Sequence, residues 1–183
     1  MKTTSAVIST LALVGSALAA PTPQSSFQGL AINSGSPIQF ASVSANDENF
    51  WLRYKSSAYC PPGIECSNTT STLFTGGKDT LNLKVAVPGG QQVYVNDVGA
   101  LRYTEPHSAA IGVGSSQTGF GVKKEGQFDY LTYNGDGFLA CPTDAEAYLI
   151  YVRGASAVND DAKCLGFDFL MGPDSAPAAW GYS

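Results

Sequence analysis

Only one of the 183 residues is a histidine, His107, and charged residues make up 14% of the chain. A single histidine excludes a two-histidine metal motif of the H-E-x-x-H kind. It also leaves one base for any Ser-His-Asp relay. Glu105 and Ser108, its neighbours in EPHSA, cannot complete that relay locally, because adjacent residues of an extended chain point to opposite faces. No G-x-S-x-G nucleophile elbow occurs. His107 therefore reads as a partly exposed loop residue. Clustered cations are missing as well. Lys123-Lys124 runs straight into Glu125, and without Lys2 nine basic residues face fifteen acidic ones, a net charge near −6. Phosphate backbones and anionic bilayers are held by clustered Lys and Arg, so nucleic acid and membrane are excluded as partners.

Long apolar runs are confined to the start. Lys2 supplies a positive charge, Ala6 to Val14 is mostly apolar, and Ala17-Leu18-Ala19 has the small-x-small pattern of a signal-peptidase site. Residues 1–19 are thus expected to be a signal peptide, because a cut after Ala20 would place Pro21 beside it. The segment is too short for a permanent membrane helix, and no later run reaches the ~18 apolar residues such a helix needs. The closing PDSAPAAWGYS lacks the apolar tail of a lipid-anchor signal. Residues 20–183 then form a single secreted, extracellular domain, long enough to bury about 70% of its unfolded surface.

Cysteine is scarce, at four residues, but the secretory route is oxidising and lets them pair. Four cysteines allow three connectivities, and spacing alone does not decide among them. Cys60 and Cys66 bracket CPPGIEC, a Pro-Gly-bent loop short enough to close on itself, which leaves Cys141 and Cys164 as a long-range pair. Cys60–Cys66 with Cys141–Cys164 is the expected pairing. A zinc site would call for closer C-x-x-C spacing. Asn68-Thr69-Thr70 is the one N-x-S/T sequon, and beside that loop Asn68 is the expected glycosylation site.

Helical periodicity is nearly absent. Twenty glycines and ten prolines punctuate short alternating runs instead. LNLKVAV puts Leu81, Leu83, Val85 and Val87 on one face, and AYLIYV (Ala147 to Val152) reads as a buried strand. The domain is all-β. Three sets of four runs can be drawn: PIQFASV, NFWLRY, STLFT and LNLKVAV from Pro37; QQVYV, ALRYT, AAIGV and TGFGV from Gln91; QFDYLTY, GFLAC, AYLIYV and LGFDFL from Gln127. The longer first interval matches the insertion from Lys55 to Thr70. Three four-strand sets at a period near 40 point to a β-trefoil-like fold, with a Greek-key β-sandwich as the alternative. In either fold, Asn96-Asp97 in YVNDVGALRY and Asn134-Gly135-Asp136-Gly137 in LTYNGDGFLAC fall at hairpin tips, where Asn, Asp and Gly tolerate left-handed backbone.

Candidate chemistry is sparse. Glycoside hydrolysis needs two carboxylates about 5–10 Å apart, and Asp129, Asp136, Asp144, Glu146 and Asp168 are candidates by type alone. Asn159-Asp160-Asp161 lacks the D-x-[DN]-x-[DN]-G spacing of a calcium loop and has Lys163 alongside. It reads as a polar loop. Trp51, Trp180 and nine tyrosines suit either a sugar-stacking surface or the filling of a β core, and the Gln-x-Trp repeat of ricin-type lectins does not occur. No metal or cofactor is expected.

An ordered set of segments resembles the PhiA family of secreted cell-wall proteins of filamentous fungi. They are SPIQF (Ser36 to Phe40), FWL (Phe50 to Leu52), YCPPGIEC (Tyr59 to Cys66), VPGGQQVYV (Val87 to Val95), HSAAI (His107 to Ile111), FLACPT (Phe138 to Thr143), CLGF (Cys164 to Phe167) and AWGY (Ala179 to Tyr182). The resemblance covers almost the whole domain. It implies a wall-associated glycoprotein of hyphae and of the phialides and conidia that serve asexual sporulation, with no catalytic residue to carry over. Family members commonly have Ile-His-Phe where this chain has Ile38-Gln39-Phe40. The expectation is a non-enzymatic structural or interaction protein whose partner is a wall polysaccharide or wall protein. A carbohydrate-binding module and a secreted hydrolase or protease inhibitor are the alternatives.

Overall fold

In a computed structural model of the chain the described residues are 26–156, 158, 163–174 and 176–183. The expected signal peptide and Asn159-Asp160-Asp161 lie outside them. The strands are β1 (Phe27–Ile32), β2 (Val43–Asn46), β3 (Asn49–Leu52), β4 (Ala58–Tyr59), β5 (Leu73–Lys78), β6 (Thr80–Leu83), β7 (Gln91–Val95), β8 (Leu101–Tyr103), β9 (Phe120–Glu125), β10 (Phe128–Tyr133), β11 (Phe138–Pro142), β12 (Tyr148–Val152), β13 (Leu165–Pro173) and β14 (Gly181–Tyr182). No helix occurs among the described residues.

The main sheet runs β1-β5-β6-β7-β8-β3-β12-β11-β13, and β13 then pairs with β1 to close a barrel-like ring. Closure pairs the two ends of this ring with each other and leaves β9, paired with β10 alone among the strands, as an outer strand. The long strand β13 makes it possible. Leu165 to Phe167 pair with β11, Phe169 and Leu170 pair with β10, and Asp168 to Pro173 pair with β1. β2 adds to β3, β9 adds to β10, and β14 forms a separate two-stranded sheet with β4.

Aromatic rings fill the interior, which is why strand-borne Phe and Tyr recur along the chain. Phe74 lies 5.6 Å from Phe27, 5.4 Å from Phe50 and 5.6 Å from Phe169. Phe50 continues to Tyr103 at 5.2 Å, and Phe169 to Phe138 at 5.6 Å. These contacts tie together β1, β3, β5, β8, β11 and β13, each well-oriented pair adding about 0.5–1.5 kcal/mol beyond area burial. Leu81, Leu83 and Val87 are buried on one face as expected, with Val85 half-buried.

The strand sets are realised unevenly. The set from Gln127 is complete as β10 to β13. Pro37 to Phe40 is a turn rather than a strand: the Gln39 side chain accepts from Asn33 N at 2.7 Å, and Phe40 adopts a φ of 60°. Ala109 to Val113 is loop, bent where Gly112 and Gly114 take positive φ, with Val113 98% exposed. LNLKVAV stops as a strand at Leu83; beyond it Ala86 N and Val87 N donate to Ala179 O and Trp180 O of the C-terminal segment, and Lys84 pairs with Asp174 at 2.6 Å. β1 precedes the first of the expected strand sets and belongs to none of them. Its inward positions are Phe27, Gly29 and Ala31, and Gly29 stays small because a Cβ there would sit 2.3 Å from the Phe169 ring.

Both turn motifs are architectural. Asn96 caps the β7–β8 hairpin, its Oδ1 accepting from Ala100 N at 2.8 Å. Asn134 and Gly135 (φ 50° and 87°) form a two-residue turn closed by Tyr133–Asp136 hydrogen bonds. The strands it joins part at once, β10 to β9 and β13, β11 to β12 and β13.

The two disulfides are Cys60–Cys66 and Cys141–Cys164, as expected. Ala140 faces Leu165 in the β11–β13 ladder, so Cys141 and Cys164 occupy the next rung and staple its end. The last residues are equally well held. Buried Gln91 donates to Thr104 O at 2.9 Å and Tyr182 O at 2.8 Å, and accepts from Tyr182 N at 2.7 Å. Tyr182 Oη donates to Ser71 O at 2.7 Å.

Candidate functional site

Among the described residues, three surface features gather side chains singled out in the sequence. The first lies on the outer face of β3. Trp51 donates from Nε1 to Asn46 O at 2.9 Å, which fixes the indole, and Tyr54 leans on it with centroids 5.1 Å apart at 36°. Residues three apart on a strand point to opposite faces, but Arg53 takes a φ of 59° and ends β3, returning Tyr54 to the side of Trp51. Asn46, Arg53, Tyr54 and Lys55 line a shallow depression of about 550 Å³ beside this pair. Tyr54 is 45% exposed. An aromatic platform edged by amide and cationic donors can stack on the C–H face of a sugar ring and bind its hydroxyls.

A second feature surrounds the small disulfide loop. Pro61 O accepts from Ile64 N at 3.3 Å, Gly63 supplies a φ of 84°, and the Cys60–Cys66 bond closes the bend. The loop holds Ile64 out at 45% exposure, near Tyr59 on β4 at 44%. Half-buried Trp180 precedes β14, which pairs with β4, so the C-terminal tail brings Trp180 to the same place. These residues line a groove of about 490 Å³ together with Asn68, Thr69 and Thr70. Asn68 and Thr70 are exposed and Thr69 is buried.

The third is a polar cleft of about 220 Å³ lined by Lys123, Glu125, Tyr130, Asp136, Arg153 and Asp168 among others. It gathers two of the candidate carboxylates, Asp136 and Asp168. Asp129 instead pairs with Lys124 at 3.4 Å, and Asp144 and Glu146 sit in the β11–β12 turn. Glu125, Asp136 and Asp168 are all exposed, with the solvation of ordinary surface carboxylates. Glu125 also holds Lys123 at 2.5 Å, a hydrogen bond that raises the Lys123 pKa.

His107 is exposed at a φ of 63°, and Ser108 Oγ accepts from Ala110 N at 3.2 Å. Among the described residues no group of three or more His, Cys, Asp or Glu is placed to hold a metal ion, and no helix is long and apolar enough to cross a membrane. Of the aromatics singled out in the sequence, Trp51 and Trp180 both reach the surface, each in a different feature. Tyr54 and Tyr59 are two of the nine tyrosines and nothing in the sequence distinguishes them from the rest, while Ile64 carries no signal by type. The Lys55–Thr70 insertion was the available signal, since an insertion into a barrel must leave its surface.

The family model described as PhiA-like secreted protein matches residues 27–183. An uncharacterized secreted protein of Arthroderma benhamiae is 35% identical over 147 residues, covering 73% of this chain and 73% of that protein. No solved structure matches the chain.

Proposed function

Because the chain belongs to the PhiA-like secreted protein family, we propose that it is a non-enzymatic, wall-associated structural or interaction glycoprotein of hyphae and of the phialides and conidia. The observation that carries the reading is the family match, which spans every strand from β1 to β14. The architecture supports it. A closed barrel with an aromatic interior and two covalent staples suits a protein that must persist outside the cell. Fractionating culture supernatant, alkali-extracted wall and cytosol tests the proposal. Recovery from wall and supernatant is expected, and recovery mainly from cytosol would overturn it.

The Trp51–Tyr54 platform favours a second reading, in which wall association is carbohydrate binding. Retardation on chitin or β-glucan columns, lost in Trp51→Ala, would support it. Equal elution of wild type and variant would remove it. We propose a β-trefoil-like arrangement of the barrel strands, a reading that the complete strand set β10 to β13 supports.

A further inference from the structure

We infer that the groove formed by Tyr59, Ile64 and Trp180 is the seat of the first sugars of an N-glycan carried on Asn68 of the same chain. The inference rests on the glycoprotein part of the proposed function. Asn68 and Thr70, the first and third residues of the sequon, both line the groove and are both exposed. A glycan grown on Asn68 therefore starts at the rim of an apolar hollow. At about 490 Å³ the hollow falls within the ~300–1,000 Å³ of typical small-molecule sites.

The lining fits the ligand chemically. A pyranose ring presents a face of C–H groups and an edge of hydroxyls. Trp180 and Tyr59 offer ring surface to the first, and Thr70 and Ser67 offer hydroxyls to the second. Ile64 and Tyr59 would otherwise leave apolar surface in water, and the disulfide loop holds Ile64 there. Covalent attachment settles the balance. A short flexible tether gives an effective concentration of order millimolar, so stacking that captures a free sugar only at about millimolar concentration still keeps an attached one in place.

A ligand for the empty groove follows from the same proposal. The first two sugars of an N-glycan are β-1,4-linked N-acetylglucosamines, so the free disaccharide chitobiose is the matching probe. The glycan would then occlude a site that would otherwise accept an N-acetylglucosamine polymer.

The test uses the full chain secreted from a eukaryotic host. Intact mass should show Asn68 occupied, and an unoccupied Asn68 in the secreted protein overturns the inference at its first step. On the occupied form, nuclear Overhauser contacts should join an N-acetyl methyl to the Trp180 indole. Their absence overturns the docking while leaving glycosylation and wall association intact, so the two failures are distinguishable. Chitobiose titration of Asn68→Gln should shift Trp180 resonances at millimolar concentration, with the glycosylated protein at least about tenfold less responsive. Equal response, or none in either, contradicts the inference. Adding Trp180→Ala to Asn68→Gln should abolish the response, and if that variant fails to fold the contacts in the wild-type glycoform decide.

Discussion

Replacing Gln91 with leucine removes the side chain that holds the C-terminal strap against the barrel. Its amide joins β7 to Thr104 and to both backbone groups of Tyr182, across 91 positions of sequence. Leucine fits a similar volume but leaves Thr104 O, Tyr182 O and Tyr182 N without that partner in a site where Gln91 is 1% exposed. An orphaned buried group costs about 1–3 kcal/mol, and leucine burial returns part of it, so a net loss of about 3 kcal/mol is expected. For a domain of this size that lowers Tm by about 10 °C. Scanning calorimetry and urea unfolding measure it directly. Gln91→Glu sharpens the test. A carboxylate still accepts from Tyr182 N but turns negative charge on two carbonyl oxygens, and its protonated form regains one donor. The deficit of Gln91→Glu should therefore shrink as pH falls toward 4. A Gln91→Leu protein within about 1 kcal/mol of wild type would refute the reasoning and show that β4 and the Tyr182 hydroxyl hold the strap alone.

Three further outcomes follow from the same structure. By loop entropy the 23-position Cys141–Cys164 bridge contributes roughly 3 kcal/mol and the 6-position Cys60–Cys66 bridge roughly 2, so Cys164→Ser should lower Tm more than Cys66→Ser; the reverse order would mean that the insertion organises the barrel. Burial pushes the Tyr182 phenol up to about 12 and raises that of Tyr103 as well, while both ionise near 10 in the unfolded chain. The unfolded chain thus loses these protons first, and stability present below pH 10 falls as pH rises toward 12, by about 2–3 kcal/mol for Tyr182 alone. Tyr182→Phe should blunt that alkaline loss in pH-dependent melts, and an unchanged slope would contradict it. Trp51→Ala and Tyr54→Ala, at the platform, should weaken binding to insoluble wall polymer with little change in Tm for Tyr54, whose ring is 45% exposed.

What could be read in the sequence divides along physical lines. Strands that alternate apolar and polar side chains, such as LNLK, and dense apolar runs such as AYLIYV announce themselves because their composition matches their burial. The hairpin asparagines do so through left-handed backbone, and the cysteines through a loop too short to reach elsewhere. β1 is hard to read because two of its inward residues, Gly29 and Ala31, are small, Gly29 to admit the Phe169 ring. PIQF has strand composition, yet Gln39 closes a turn on Asn33 that composition does not reveal. Gln91 reads as the first residue of a strand, since its partners lie at the far end of the chain. The surface features were half legible. Trp51 and Trp180 stand out by type, but the residues that complete each site depend on Arg53 breaking a strand and on β14 docking beside β4.

Wall association without catalysis is the central claim, and one sedimentation experiment addresses both halves. The purified, secreted protein is incubated with isolated hyphal walls, the walls are pelleted, and the supernatant is assayed for remaining protein and for released sugars and peptides. Saturable depletion with no release above the no-protein control is the predicted result. Protein that stays wholly in the supernatant, or walls that shed reducing sugars or peptides in proportion to added protein, would contradict it.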